Sequence, residues 1–130
     1  MNPMHKEQVE EIDRFLSRVE HVCARPSMWF GSTNYDAVSA FFMGYLDGSE
    51  LINRSELNAG YKFLNNFICI EYGCSRSIPF DAVIRQNTGN DVEAIQQLKR
   101  LLIEYFEKYK TMSPDEILIE KEKEIQSRKK

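Results

Sequence analysis

The sequence predicts an all-α protein, a single-domain bundle of about five to six helices. Three observations carry that expectation. Apolar residues recur at spacings of three and four along most of the 130 residues, the period of a helix with one buried face. Capping residues stand in front of most of these runs. No two strand-like runs are available to pair with each other.

The first helix is expected to open at Asn2-Pro3, a capping side chain followed by proline at the first helical position. Val9, Ile12, Leu16, Val19 and Cys23 form its apolar stripe, and Phe15 and Val22 widen it. Glu7, Glu10, Glu11, Arg14 and Arg18 fall mostly on the other side. Pro26 is expected to end this helix, because the residue before a proline is pushed out of the α region. The stretch Arg25-Pro26-Ser27-Met28-Trp29-Phe30-Gly31 then separates two long helical patterns and holds the one tryptophan. Its expected role is a structural corner. Pro26 stops one helix, Trp29 plugs the core, Gly31 turns the chain, and Thr33 with Asp36 starts the next helix in a variant of the capping box. The rival reading makes the Met28-Trp29-Phe30 trio a partly exposed binding anchor.

The second helix is expected to run to Leu46 or Asp47, with Val38, Phe41, Phe42 and Tyr45 on one face. Gly44 inside it suggests a close approach by another backbone, and Gly48 is the expected C-cap. Asn53 and Glu56 mark the start of a third helix, Arg54 to Tyr72, ended by Gly73. Leu57, Tyr61, Leu64, Ile68 and Tyr72 line one of its stripes and Phe63 and Phe67 another, a width that suits a central helix. Phe67-Ile68-Cys69-Ile70 is strand-like in composition but continues the helical pattern. Pro79 at a first helical position predicts a short helix, Phe80 to Gln86. Asn90 and Glu93 cap the next, which runs to Lys110 on Ile95, Leu98, Leu102, Tyr105 and Tyr109, with Leu101 and Phe106 beside them. Ser113-Pro114-Asp115-Glu116 combines a cap, a proline and a capping-box glutamate. The final helix carries Ile117, Leu118 and Ile125 and then mostly charge. Residues 1–112 are therefore the expected core domain, and 113–130 a charged helix that frays or protrudes.

The net charge is −3. Residues 120–130 hold five Lys/Arg and three Asp/Glu, a balance of +2, which leaves −5 for residues 1–119. An acidic body disfavours direct nucleic-acid binding, which needs a basic face. It suits a basic protein partner. The longest apolar run, Ala40 to Leu46, is far shorter than the roughly 20 residues that span a bilayer. Met1 to Glu7 holds no apolar signal-peptide core. The expectation is a cytoplasmic protein with Cys23, Cys69 and Cys74 reduced.

Little in the sequence points to catalysis. His21, Cys23, Cys69 and Cys74 are zinc-type ligands but lack the paired spacings of a zinc site. His21 and Cys23 are two apart on a helix and point about 200° from each other. No metal and no cofactor is expected. A nucleophilic site would have to join His21 to Cys74, and nothing fixes that geometry. Among the carboxylates, Glu71 between Ile70 and Tyr72 is the most unusual candidate for acid–base work, against the simpler role of a solvated or capped helix end. No glycine-rich phosphate loop is present. Lys121 and Lys123 alternate with Glu120, Glu122 and Glu124, the pattern of a solvated helix with i,i+4 pairs.

Arg25-Pro26-Ser27-Met28-Trp29-Phe30-Gly31-Ser32 resembles an eight-residue segment of the ATPase domain of type II topoisomerases. That likeness ends there, with no ATP lid and no α/β pattern. A broader likeness spans roughly residues 10–110. Arg25-Pro26, Met28-Trp29, Gly31, Phe41-Phe42, Gly44-Tyr45, Phe63, Phe67 and Tyr105-Phe106 together resemble small bacterial immunity proteins of polymorphic toxin and contact-dependent growth inhibition systems. The resemblance implies a non-catalytic antitoxin that covers one cognate toxin domain, often a nuclease with a basic face. On this reading Asp36, Asp47, Glu50, Glu71 and Asp81 are the expected partner contacts, with Arg25, Pro26, Trp29 and Gly31 as the structural corner. The alternatives are a helical interaction or regulatory module, homodimeric through the last helix, and a small enzyme built on Cys74, His21 or Glu71.

Overall fold

A computed structural model describes residues 6–49, 51–52 and 61–129. Among them are seven helices: α1 (Lys6–Ala24), α2 (Pro26–Phe30), α3 (Tyr35–Gly48), α4 (Lys62–Tyr72), α5 (Phe80–Gln86), α6 (Asp91–Tyr109) and α7 (Pro114–Arg128). The all-α expectation holds, with one helix more than expected. The helix starts expected at Asn2-Pro3 and at Asn53 with Glu56 lie outside the described residues.

The centre of the bundle is α6 and not the third expected helix. It lies against α1, α3, α4, α5 and α7. The reason is its two adjacent apolar rows, Ala94-Leu98-Leu101-Tyr105 and Ile95-Leu102-Phe106, all of them buried. Rings tie the neighbours to it. Phe15 of α1 meets Phe106 edge-on at 5.0 Å and Phe42 of α3 at 6.0 Å, while Phe67 of α4 meets Tyr105 at 5.3 Å. Each such pair contributes about 0.5–1.5 kcal/mol beyond the area it buries.

The corner departs from expectation. α1 ends at Ala24, Arg25 is the N-cap of α2, and Pro26 opens that five-residue helix at its first position. None of its residues is buried. Met28 is 73% exposed and Trp29 43%, so Trp29 is not the core plug. The extra turn and a half of helix carries the indole outward, and the gap it was expected to fill is taken by rings nearer the core. Phe30 packs on Phe41 at 5.8 Å, and Phe41 packs on the buried Phe42 at 5.5 Å. Gly31 does turn the chain, at φ 76°, with its N–H on the Ser27 carbonyl.

Other boundaries shift by a residue. Asn34, not Thr33, caps α3, its side-chain oxygen accepting the Ala37 N–H at 3.0 Å; asparagine is the stronger cap of the two. Gly48 belongs to α3 and Ser49 is its C-cap. Gly44 marks no close approach, since a Cβ there would meet nothing within 4 Å. Pro79 occupies the cap position of α5, one residue before the helix. Gly73 ends α4 at φ 66°, Asn90 caps α6 through the Glu93 N–H, and Ser113 with Glu116 closes a full capping box on α7. Tyr61 precedes α4 in the left-handed region at φ 58°. Its hydroxyl donates to the Met43 carbonyl at 2.9 Å and its ring meets Phe80 edge-on, contacts that offset a backbone cost of about 1–2 kcal/mol.

The last helix does not stand apart. α7 is helical through Arg128 and packs chiefly on α4, with Ile117 and Lys121 buried. Ile119 is its one exposed large apolar side chain.

Phe15→Ala, at a site with no exposed surface, should lower stability by about 3–5 kcal/mol. Trp29→Ala should cost about 1 kcal/mol or less. Urea unfolding of both variants checks this; an equal loss would return Trp29 to the core.

Candidate functional site

Asp36 and Asp81 are brought to one end of the bundle, where α3, α5 and α6 all begin. Tyr35 organises that end. It is buried, its N–H donates to Asp91 Oδ2 at 3.0 Å, and its hydroxyl donates to the Asp81 carbonyl at 2.8 Å. The Arg85 guanidinium lies 4.8 Å from its ring centroid and bonds Asp91 at 2.6 Å and Asp36 at 3.3 Å. Burial pushes the Tyr35 hydroxyl pKa up, and the charges of Asp81 and Asp36 add to that rise. The bonds from Arg85 and from the Tyr35 N–H hold Asp91 below the usual carboxylate range. Asp91 is therefore a structural acid, whereas the Asp36 side chain is 81% exposed. Val92, between Asp91 and Glu93, is 60% exposed. Helix starts favour carboxylates by about 0.3–1 kcal/mol each at the surface, which is why these acids gather here.

The other three expected contacts do not join them. Asp47 is exposed at the opposite end of α3. Glu50 lies outside the described residues. Glu71 is neither a solvated helix end nor open to a partner: its side chain is 9% exposed and encircled by cations. Oε1 is 2.6 Å from Lys121 Nζ, and Oε2 is 2.9 Å from Arg128 and 3.5 Å from Arg100. Lys121, expected in a solvated row, has no exposed side-chain surface. Its ammonium also reaches Glu104 at 3.0 Å and Glu124 at 3.3 Å, and stands 4.8 Å from the Phe67 ring centroid. Arg100 and Lys108 pair with Glu104, and Lys108 with Glu120 at 2.6 Å. Burial pushes the Glu71 pKa up, but hydrogen bonds from Lys121 and Arg128 and the charges of Lys121 and Arg100 outweigh it, so the carboxyl is held below its ordinary value of 4.5. This cluster pins α7 to α4 and α6. Lys121 lies one turn past Ile117 on the apolar row of α7, and that register was the signal for its burial.

The thiols and imidazole are dispersed. His21 is exposed on α1 and Cys23 is buried, where desolvation pushes its thiol up to about 12. Cys69 is buried, accepts from the Asn65 amide and donates to the Ile78 carbonyl, both at 3.6 Å, and burial raises its pKa too. Cys74 is half-buried and donates to the Tyr72 carbonyl. Among the described residues no three His, Cys, Asp or Glu side chains are placed to hold a metal ion, and no helix is long and apolar enough to cross a membrane.

A cleft of about 730 Å³ opens between the first half of α1 and the end of α3. Glu7, Glu10, Glu11 and Arg14 line one wall, and Gly48, Ser49 and Tyr109 lie across from them. Nothing in the sequence pattern pointed to it, because its walls meet only through tertiary packing.

No protein-family model matches the chain, and no curated protein or solved structure matches it either.

Because the folded Glu71 pKa is depressed, its stabilising contribution is complete above about pH 4.5 and is lost as pH falls through the folded value. Stability measured by urea should therefore drop below about pH 4.5. Glu71→Gln should be less stable at pH 7 and lose part of that acid slope; an unchanged slope would remove the cluster from the account of acid stability.

Proposed function

We propose that the chain is an immunity-type inhibitor, a non-catalytic protein that binds one toxin domain and covers its active site or substrate channel. The observation that carries this reading is the acidic end of the bundle. Asp36, Asp81, Asp91 and Glu93 lie in the first turns of α3, α5 and α6, with the exposed Val92 between Asp91 and Glu93 and with Arg85 as the balancing cation on Asp36 and Asp91. An acidic end that also shows an apolar side chain suits a partner whose face is basic, as a nuclease face is. The likeness of the Arg25–Gly31 corner and of the aromatic helices to immunity proteins supports the same reading. The groups an enzyme would need are engaged elsewhere: Glu71 in its ion cluster, and the Cys74 thiol on a backbone carbonyl.

The test is growth protection: the gene beside this one is expressed with and without the chain, and binding kinetics are measured on the purified pair. The native chain should restore growth. Reversing Asp36 and Asp81 to lysine should slow association by about tenfold at low salt and by less at high salt, with the helical circular dichroism retained. A native chain that gives no protection defeats the proposal, and reversals that leave association unchanged defeat its electrostatic part.

A further inference from the structure

The outer shoulder of α1 carries an ordered row of charge. Glu7, Glu11, Arg14, Arg18 and His21 follow one another at steps of four and three residues, so they lie along one line of the helix. Arg25 continues the line just past its end. Acids occupy the first part of the row and bases the rest. The two ends differ in shape as well. At the basic end stands a knob: Trp29 rests 5.1 Å from the Arg18 guanidinium and 6.2 Å from the Phe41 ring, and Arg25 donates to the Met28 sulfur at 3.7 Å. At the acidic end is the cleft walled by Glu7, Glu10, Glu11 and Arg14, of which Arg14 is paired with Glu11 and leaves Glu7 and Glu10 as the surplus acids. Along α3 the matching row is Phe41-Gly44-Gly48, from the knob to the cleft. Gly44 costs about 1 kcal/mol in a helix interior, yet no internal contact requires it.

We propose that this shoulder is a self-complementary interface on which a second copy of the chain docks antiparallel. A two-fold axis near the middle of α1 brings the basic end of each copy onto the acidic end of the other, and each Met28–Trp29 knob enters the partner copy's cleft. A two-fold interface requires a surface that is its own complement, residue i meeting j and j meeting i. A row that is acidic at one end and basic at the other meets that requirement when reversed. A uniformly basic partner would match Glu7 and Glu11 but be repelled by Arg18 and Arg25, and an acidic partner would meet the opposite conflict. The spacing is suitable: Glu7 and Arg18 are about 16 Å apart along the helix, so knob and cleft fit within one interface. The cleft volume lies within the roughly 300–1,000 Å³ of side-chain and ligand pockets. Tryptophan and arginine are the residue types that anchor interfaces, and an indole already seated on Phe41 and Arg18 loses little freedom on docking. The interface leaves the acidic end at Asp36 and Asp81 outside it, so the inference stands apart from the toxin-binding proposal.

The experiment is sedimentation equilibrium on the full chain alone. The native protein should be a dimer at low salt and dissociate as salt approaches about 0.5 M, where exposed charges are screened. Trp29→Ala, Glu7→Lys/Glu11→Lys and Arg18→Glu/Arg25→Glu should each weaken the dimer by about tenfold or more, while circular dichroism remains native. Mixing the two charge-reversed proteins should restore the dimer mass, because each then supplies what the other lacks. A chain that is monomeric at every concentration tested overturns the inference. So does a dimer indifferent to these variants, or a mixture that stays monomeric. None of these results bears on growth protection, so the two proposals fail separately.

Discussion

Lys121 places an ammonium group inside the protein, with carboxylates of Glu71, Glu104 and Glu124 within 3.3 Å and the Phe67 ring on another side. Taking such a charge out of water costs several kcal/mol. Only close carboxylates offset that cost, and here they come from α4, α6 and α7. The position of α7 is thereby fixed by charge as much as by Ile117. The carboxylates would repel one another without further cations, and Arg100, Lys108 and Arg128 supply them. Breaking such a cluster from one side leaves a buried charge uncompensated, which costs about 3–5 kcal/mol. The helix that looks most expendable in the sequence is thus bound by a buried ion cluster shared with α4 and α6.

What was legible in the sequence was local. Asn90, Ser113 and Glu116 act through backbone groups within one turn, and Gly31 and Gly73 through their own dihedral angles, so each is visible in a short window. The two-sided row of α6 was equally open to view, although its central place was assigned to a neighbour. Trp29 was illegible because its burial depended on whether Pro26 stops a helix or starts one, and proline does both. The pairing of Glu71 with Lys121 was illegible for another reason. They are fifty residues apart in sequence, and although each sits beside apolar neighbours in its own helix, nothing local to either shows which charge it meets. Of the expected contacts, Asp36 and Asp81 converge because helix starts attract acids, a rule that applies one helix at a time; that three such starts meet at Tyr35 follows only from packing.

The surface is therefore divided by function as well as by charge. Charges in the α4–α6–α7 cluster are consumed internally. Those at the start of α3, α5 and α6 are partly spare, since Arg85 answers Asp36 and Asp91 but leaves the Asp36 side chain largely in water. Those on α1 are arranged in sequence along the helix, with opposite signs at its two ends. A modest overall charge of −3 conceals three regions with different electrostatic roles.

The half-exposed indole has an optical consequence. The chain has one tryptophan, and it sits at the surface beside a guanidinium and not in the core. Tryptophan emission from the folded protein therefore comes from a partly hydrated ring and shifts little when the chain unfolds. Drying of that ring by a covering molecule shifts it to shorter wavelength. In this protein the intrinsic fluorophore is a gauge of what touches the corner, while the state of the core must be followed through its tyrosines and its helical backbone.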